Sequence, residues 1–389
     1  MRTLRGLVSS LAKSGLLALV GCAGVPIAAP VPVQLFHDTL FEAPTEPVST
    51  ADVFALDDAM RRYLAVDIAY QLRTRGLQEG LVEALSRRQQ LKLEYDTTRT
   101  KNAAETFATR SGNCLSLVIM TAALAKELRL PIYYGSAVLD NACSRSGDLL
   151  FASGHVNLTI SRRLFDARTS RDRSPMTIDF LPAEDVRGLQ RREIAEATVI
   201  AMYANNRAAE ALATGRVDDA YAWSREALRS DPGFAGAWNT LGVVYLRHGN
   251  VAEAAPVFEH VLSGDAGNTP ALSNLVQTYS RLGRSEEAAA VRQRLVALEP
   301  FAPFHFFHLG LQAMQRNDFA AARGLFAREV SRADYHHEFH YWLGVADWRL
   351  GDLAAAQRQL TLALDNSTTR HQTELYAAKL AWLKSRRKP

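Results

Sequence analysis

Apolar residues recur at spacings of three to four through Val53, Leu56, Met60, Leu64 and Ile68, after the capping-type run Ser49-Thr50-Ala51-Asp52. That spacing predicts an amphipathic helix entered near Ser49. A second helical stretch is expected over 77–93. Residues 115–128, LSLVIMTAALAKEL, are apolar on nearly every face, which predicts a helix buried all round. After Pro131 the pattern changes. Ile132-Tyr133-Tyr134, residues 154–160 (GHVNLTI) and residues 176–180 (MTIDF) read as strands. The last two are separated by a polar, Arg-rich connection, 162–173, expected as a solvated loop. Its alternative role is to guard a site mouth and favour an acidic substrate.

From about residue 200 the pattern repeats itself. Gly215, Gly249, Gly283 and Gly351 fall on a 34-residue period with Asn317 in the gap, and Ala220, Ala254, Ala288, Ala322 and Ala356 keep the same step. A helical hairpin per unit explains this. Gly or Asn tolerates the left-handed turn between helices, and Ala sits where two helices approach closely. Trp238, Leu241, Gly242, Tyr245, Ala254 and Phe258 stand at spacings that resemble the tetratricopeptide repeat family. The resemblance implies five helical hairpins over 200–370. Their first helices would line a concave, peptide-binding face. Asn205, Asn206, Asn239 and Asn274 are the candidate contacts there, because an amide both donates and accepts. Residues 371–389 would form a capping helix and tail, with Leu375, Ala378 and Leu383 on one face.

The N-terminus has the order of an export signal: Arg2, Arg5 and Lys13, then the apolar run Leu16–Val20, then Gly21 and Cys22. Leu19-Val20-Gly21-Cys22 resembles the lipobox of bacterial lipoproteins. That resemblance implies a signal peptide over 1–22, acylation of Cys22 and, with Ala23 next, an outer-membrane destination facing the periplasm. Residues 23–48 begin Pro-, Ala- and Val-rich and are expected as a tether. No run reaches the ~20 apolar residues that span a bilayer. The whole chain has 389 residues with 45 basic and 41 acidic ones. Removal of the signal leaves 42 basic against 41 acidic, a balance without the basic footprint of a nucleic-acid binder.

Cysteine carries the candidate chemistry. Cys114 follows Gly112-Asn113 and opens the apolar helix, where the positive end of the helix dipole favours a thiolate. His155 comes early in a strand, after Gly154, and Asp179 lies in the next. Cys, His and Asp in that order suit a thiol nucleophile, a proton acceptor and an acid that orients the imidazole. TRSGNCLSLVIMTAALAKELRLP, with GHVNLTI and MTIDF, resembles the transglutaminase-like superfamily, a branch of the papain-like fold. The resemblance covers about 95–185 and implies that Cys114 is the nucleophile, His155 the base and Asp179 the orienting acid. Leu115 and Asn157 stand where the cross-linking enzymes usually carry Trp, so hydrolysis and other acyl transfers are the implied activities. Asp166 competes with Asp179 for the third place. If the strands flank the long connection, Ile160 opposes Met176 and Asn157 opposes Asp179, on the same face as His155.

Cys143 lies in a polar stretch and is expected to be unreactive or half of a disulfide with Cys114. His336 and His340, four apart, could face one metal, but their aromatic neighbours favour packing. No cofactor is expected. These readings give an α+β transglutaminase-like domain over 49–195 followed by an all-α tetratricopeptide-repeat solenoid. The expected function is an envelope lipoprotein with a thiol hydrolase or acyltransferase domain acting on peptide-like amides. Its expected partners are a protein or peptide in the repeat groove and a membrane through Cys22. The alternative is a non-catalytic interaction scaffold.

Overall fold

The computed structural model describes residues 32–86, 93–96, 99–137, 143–146, 149–152, 155–161, 174–180, 191–301, 304–367 and 370–385. The expected signal segment, Cys22, the first part of the expected tether, Asp166 and the connection 162–173 lie outside the described residues.

The first helix starts later than the sequence pattern predicts. Asp57 caps α1 (Asp58–Arg62), its side chain accepting from Met60 N at 2.8 Å. Thr50, expected in the cap, instead bonds its hydroxyl to Glu226. A π-helical turn, Tyr63–Asp67, leads to α2 (Ala69–Arg75) and α3 (Leu77–Ser86). Then come β1 (Glu94–Tyr95), α4 (Ala103–Thr109), β2 (Ser111–Gly112) and α5 (Cys114–Glu127). α5 is buried over Leu115–Ala125, as its all-round apolar pattern predicts.

The strands that follow are β3 (Ile132–Ala137), β4 (Cys143–Ser146), β5 (Leu149–Ala152), β6 (His155–Ile160), β7 (Met176–Ile178) and β8 (Arg191–Ile194). Four of them form an antiparallel sheet in the order β7-β6-β3-β8. Ile160 pairs with Met176 and Leu158 with Ile178, the register that aligns Asn157 with Asp179. α5 covers β6. β8 and the β4–β5 hairpin are not foreseen from the sequence, and Cys143 begins a strand where a polar loop is expected.

The chain passes from β8 through Ala195 into eleven helices: α6 (Glu196–Ala213), α7 (Val217–Ser230), α8 (Ala235–His248), α9 (Val251–Gly264), α10 (Thr269–Arg281), α11 (Ser285–Leu298), α12 (His305–Gln315), α13 (Phe319–Arg332), α14 (His337–Arg349), α15 (Leu353–Asp365) and α16 (Arg370–Ser385). The first ten pair as five hairpins. Gly215, Gly249, Gly283 and Gly351 have φ of 77°, 98°, 74° and 85°, and Asn317 has 58°, so the periodic residues take the left-handed turns. The periodic Ala residues are all buried. In the final helix Tyr376, Leu380 and Leu383 are buried, whereas Leu375 and Ala378 are exposed. The capping face is therefore rotated from the one expected, which placed Leu375 and Ala378 beside Leu383.

The α+β part and the first three hairpins are not separate bodies. One continuous core runs from Leu35 through α5, β6 and the repeat helices to Val291. At the junction Glu196 receives Lys126 Nζ at 2.7 Å and the Tyr134 hydroxyl at 2.9 Å. Glu210 accepts from Thr100 N at 2.6 Å.

From residue 32 the expected tether is a packed strap. Two 3₁₀ turns, Val33–Leu35 and Asp38–Leu40, lie along the repeats. Phe36 stacks on Trp238, and Phe41 stacks on Tyr221 with centroids 3.8 Å apart. The Tyr245 hydroxyl donates to Leu35 O at 2.9 Å and accepts from His37 N at 3.0 Å. Aromatic burial and satisfied backbone groups override the tether-like composition.

Candidate active site

Cys114 is positioned by local capping chemistry. Arg110 ends α4 in a left-handed conformation, φ 53°. Ser111 and Gly112 then pair in parallel with Glu94 and Tyr95. A Cβ at Gly112 would meet Ser116 Cβ at 2.7 Å, so the glycine permits the close approach to the helix start. Asn113 caps α5, its Oδ1 accepting from Ser116 N at 2.9 Å while its Nδ2 donates to Thr100 Oγ1 at 2.8 Å. Cys114 is thus the first residue of a buried helix, and its thiol is free. The Cys114–Cys143 disulfide raised as an alternative from the sequence is not formed.

The imidazole of His155 is 3% exposed. Its Nδ1 lies 3.4 Å from Cys114 Sγ, and its Nε2 lies 2.8 Å from Asp179 Oδ1. The Nε2–Asp179 contact is at ion-pair distance without the alignment of a hydrogen bond. The second carboxylate oxygen accepts from Asn157 Nδ2 at 3.3 Å. The three residues singled out from the sequence are brought together. For Nδ1 to receive the thiol proton it must begin unprotonated, which leaves the ring proton on Nε2, facing the carboxylate.

The thiolate expected at the helix start is opposed by the surroundings of the sulfur. Cys114 donates to Val156 O at 3.0 Å. Burial pushes the thiol up to about 12, and the charge of Asp179 adds to the rise. Desolvation and the Asp179 charge thus oppose the helix terminus at a thiol that is itself half-buried.

The other candidate residues behave differently. Asn205, Asn239 and Asn274 are buried. Asn274 Nδ2 donates to Asn239 Oδ1 at 3.1 Å, and β5 lies against α8 and α10, which carry this pair. The expectation that these three line an open groove fails, because the α+β part covers that end of the solenoid; Asn206 is half-buried. His340 uses both ring nitrogens, on Gln359 Oε1 at 2.7 Å and Asp334 O at 2.6 Å. His336 stacks on Phe339. Among the described residues no group of three His, Cys, Asp or Glu is arranged to hold a metal ion.

Tyr95 was not foreseen as a site residue, although its hydroxyl lies beside the Cys114 backbone and thiol. The alternation Leu91-Lys92-Leu93-Glu94-Tyr95 was the available signal for the strand that carries it.

Fold and site define a thiol–imidazole–carboxylate centre built onto a helical-hairpin solenoid. The tetratricopeptide repeat family matches residues 200–269, 245–305 and 307–369, so the C-terminal half consists of tetratricopeptide repeats. No curated protein matches the chain. Among solved structures, a thermophilic tetratricopeptide-repeat protein of Thermus thermophilus is 21% identical, with 46% of this chain and 99% of that chain covered and a TM-score of 0.28. PilF of Pseudomonas aeruginosa is 20% identical, with 48% and 84% covered and a TM-score of 0.28. MamA of Desulfovibrio magneticus is 18% identical, with 44% and 96% covered and a TM-score of 0.26.

Proposed function

We propose that the protein is an envelope lipoprotein whose α+β part is a transglutaminase-like thiol domain, acting on peptide-like amides by hydrolysis or acyl transfer. The repeats hold a protein partner, and acylated Cys22 holds the chain at the outer membrane, facing the periplasm. The observation that carries the chemistry is the convergence of Cys114 Sγ, His155 Nδ1 and Asp179 Oδ1 across contacts of 3.4 Å and 2.8 Å. In this reading His155 takes the thiol proton as Sγ attacks the amide carbon, then returns it to the leaving amine. Asp179 holds the ring and stabilises the imidazolium. Cys22 after Leu19-Val20-Gly21 supports the anchor.

A test is acyl-enzyme trapping. The mature chain is incubated with a mixture of peptide amides and quenched in acid. Mass spectrometry should find a thioester on Cys114, absent from Cys114→Ala and His155→Ala. No acylation of Cys114 across such a mixture would overturn the reading.

The raised thiol gives a second reading its specific support: an interaction scaffold in which the α+β part has fallen silent. In that case iodoacetamide should label Cys114 as slowly in the native chain as in His155→Ala.

A further inference from the structure

The last helix carries more apolar surface than its packing uses. Leu380 and Leu383 are buried with Ala356 and Leu360 of the fifth hairpin, and Tyr376 is buried beside them. Yet Leu375, Ala377, Ala378, Ala381 and Trp382 are all exposed. At about 3.6 residues per turn these five fall in one arc of ~160°. Lys379 stands at one edge of that arc and Lys384 at the other, both exposed. Trp382 is 41% exposed and meets Trp348 of α14, itself 37% exposed, with ring centroids 5.4 Å apart. The apolar face therefore continues onto the fifth hairpin.

The charge around this face is one-sided. Glu374, at the N-terminal end of the arc, is the only acid of α16. From Leu375 to Pro389 the sequence has five basic residues, Lys379, Lys384, Arg386, Arg387 and Lys388, and no acid. Among the described residues neither Lys379 nor Lys384 is in an ion pair.

We propose that this face of α16 is a membrane-surface site for anionic phospholipid, with Leu375 and Trp382 entering the acyl boundary and Lys379 and Lys384 meeting the headgroup phosphates. An apolar arc edged by basic residues is the pattern of a helix that lies in the plane of the interface. Trp suits that depth because its ring is apolar and its N–H is polar. A lysine stem lies along apolar surface while its ammonium stays among the headgroups. A second copy of the chain is a poor occupant, since the basic edges of the two faces would meet. The site is independent of the anchor proposed at Cys22; where both act, the lipid contact lays the end of the repeat array against the surface.

The mature chain without its lipid, residues 23–389, includes every described residue and separates this site from the anchor. It is sedimented with vesicles of phosphatidylcholine alone and with vesicles of an equal mixture with phosphatidylglycerol. Binding should be at least about 10-fold tighter to the mixed vesicles and should weaken as salt rises. Lys379→Gln combined with Lys384→Gln should lose about 10-fold. Ala378→Glu puts an acid inside the arc with little cost to the helix and should lose at least as much. Ala252→Glu adds the same charge at an exposed position of α9 and should bind as the wild type does. No binding to the mixed vesicles, or equal loss in Ala252→Glu and Ala378→Glu, overturns the site. A dimer in sedimentation velocity that Ala378→Glu dissociates gives the face to a second copy and overturns it too. If Ala378→Glu unfolds on circular dichroism melting, the lysine pair decides. Vesicle binding by the unlipidated chain, together with an unacylated Cys22 in cells, would sink the anchor and leave this site standing.

Discussion

Asn157 Nδ2 donates to Asp179 Oδ2 across 3.3 Å, and the other oxygen of that carboxylate faces His155 Nε2 at 2.8 Å. The side chains of His155 and Asn157 leave β6 on one face, so a single strand register aims both at one acid. The carboxylate is held from two sides, and its partners have separable effects. Asp179→Asn should lower Cys114-dependent release of p-nitrophenolate from p-nitrophenyl acetate by about 10³- to 10⁴-fold. Asn157→Ala should cost about 10-fold, as loss of an outer hydrogen bond does. Asp166→Asn should leave the rate unchanged, and a larger loss there than in Asp179→Asn would make Asp166 the orienting acid.

The raised thiol makes a prediction about pH. A thiol pushed up to about 12 in the folded chain, from an ordinary value of 9.0, means that the unfolded chain loses this proton first. The thiol's contribution to stability is therefore fully present below pH ~9 and is lost as pH rises from there through ~12. Urea unfolding of the native chain should weaken more steeply over that range than unfolding of Cys114→Ser. Parallel curves would mean that the thiol is not held neutral. In the same chain, alkylation of Cys114 by iodoacetamide should rise with pH and show no plateau between pH 6 and 9; a plateau near neutrality would indicate a preformed thiolate–imidazolium pair.

The strap should be a stability element. Phe41→Ala removes the ring stacked on Tyr221 and should cost about 1–3 kcal/mol in urea unfolding. A change below about 0.5 kcal/mol would show that the strap is not fastened there. The polar fastening is at Asp219, which accepts from Thr45 N at 2.6 Å and Thr45 Oγ1 at 2.7 Å. Burial alone would raise this carboxyl, but the Thr45 bonds and Arg216 outweigh it and hold the group below its ordinary value. A depressed acid stabilises above the ordinary carboxylate range and less as pH falls through its folded value. Hydrogen exchange at Thr45 N should therefore quicken at acid pH sooner than exchange inside α8.

Two glycines in the repeats should respond with opposite sign. A Cβ at Gly242 would meet Phe258 Cε1 at 2.5 Å, so Gly242→Ala should destabilise by about 1–3 kcal/mol through overpacking. Gly324 lies inside α13 with nothing within 4 Å of the added carbon, and Gly324→Ala should stabilise by about 0.5–1 kcal/mol. Thermal unfolding of both variants reads the contrast. Equal effects would show that the close approach of Phe258 is not what selects the glycine.

The sequence alone determined the repeat hairpins and their turn residues, and it singled out Cys114, His155 and Asp179, whose side chains the fold brings together. These are local patterns: left-handed turns select Gly or Asn, close helix contacts select Ala, and strand alternation fixes which face His155 and Asn157 share. The start of the first helix, the strap, the burial of Asn205, Asn239 and Asn274, and the raised thiol were decided by tertiary structure. Thr50 is compatible with a helix cap until Glu226 takes its hydroxyl. A Pro- and Val-rich segment resembles a tether until Phe36 and Phe41 find Trp238 and Tyr221. The raised thiol of Cys114 follows from the packing of β6 and the placing of Asp179 around it, and desolvation depends on atoms far apart in sequence that no local pattern encodes.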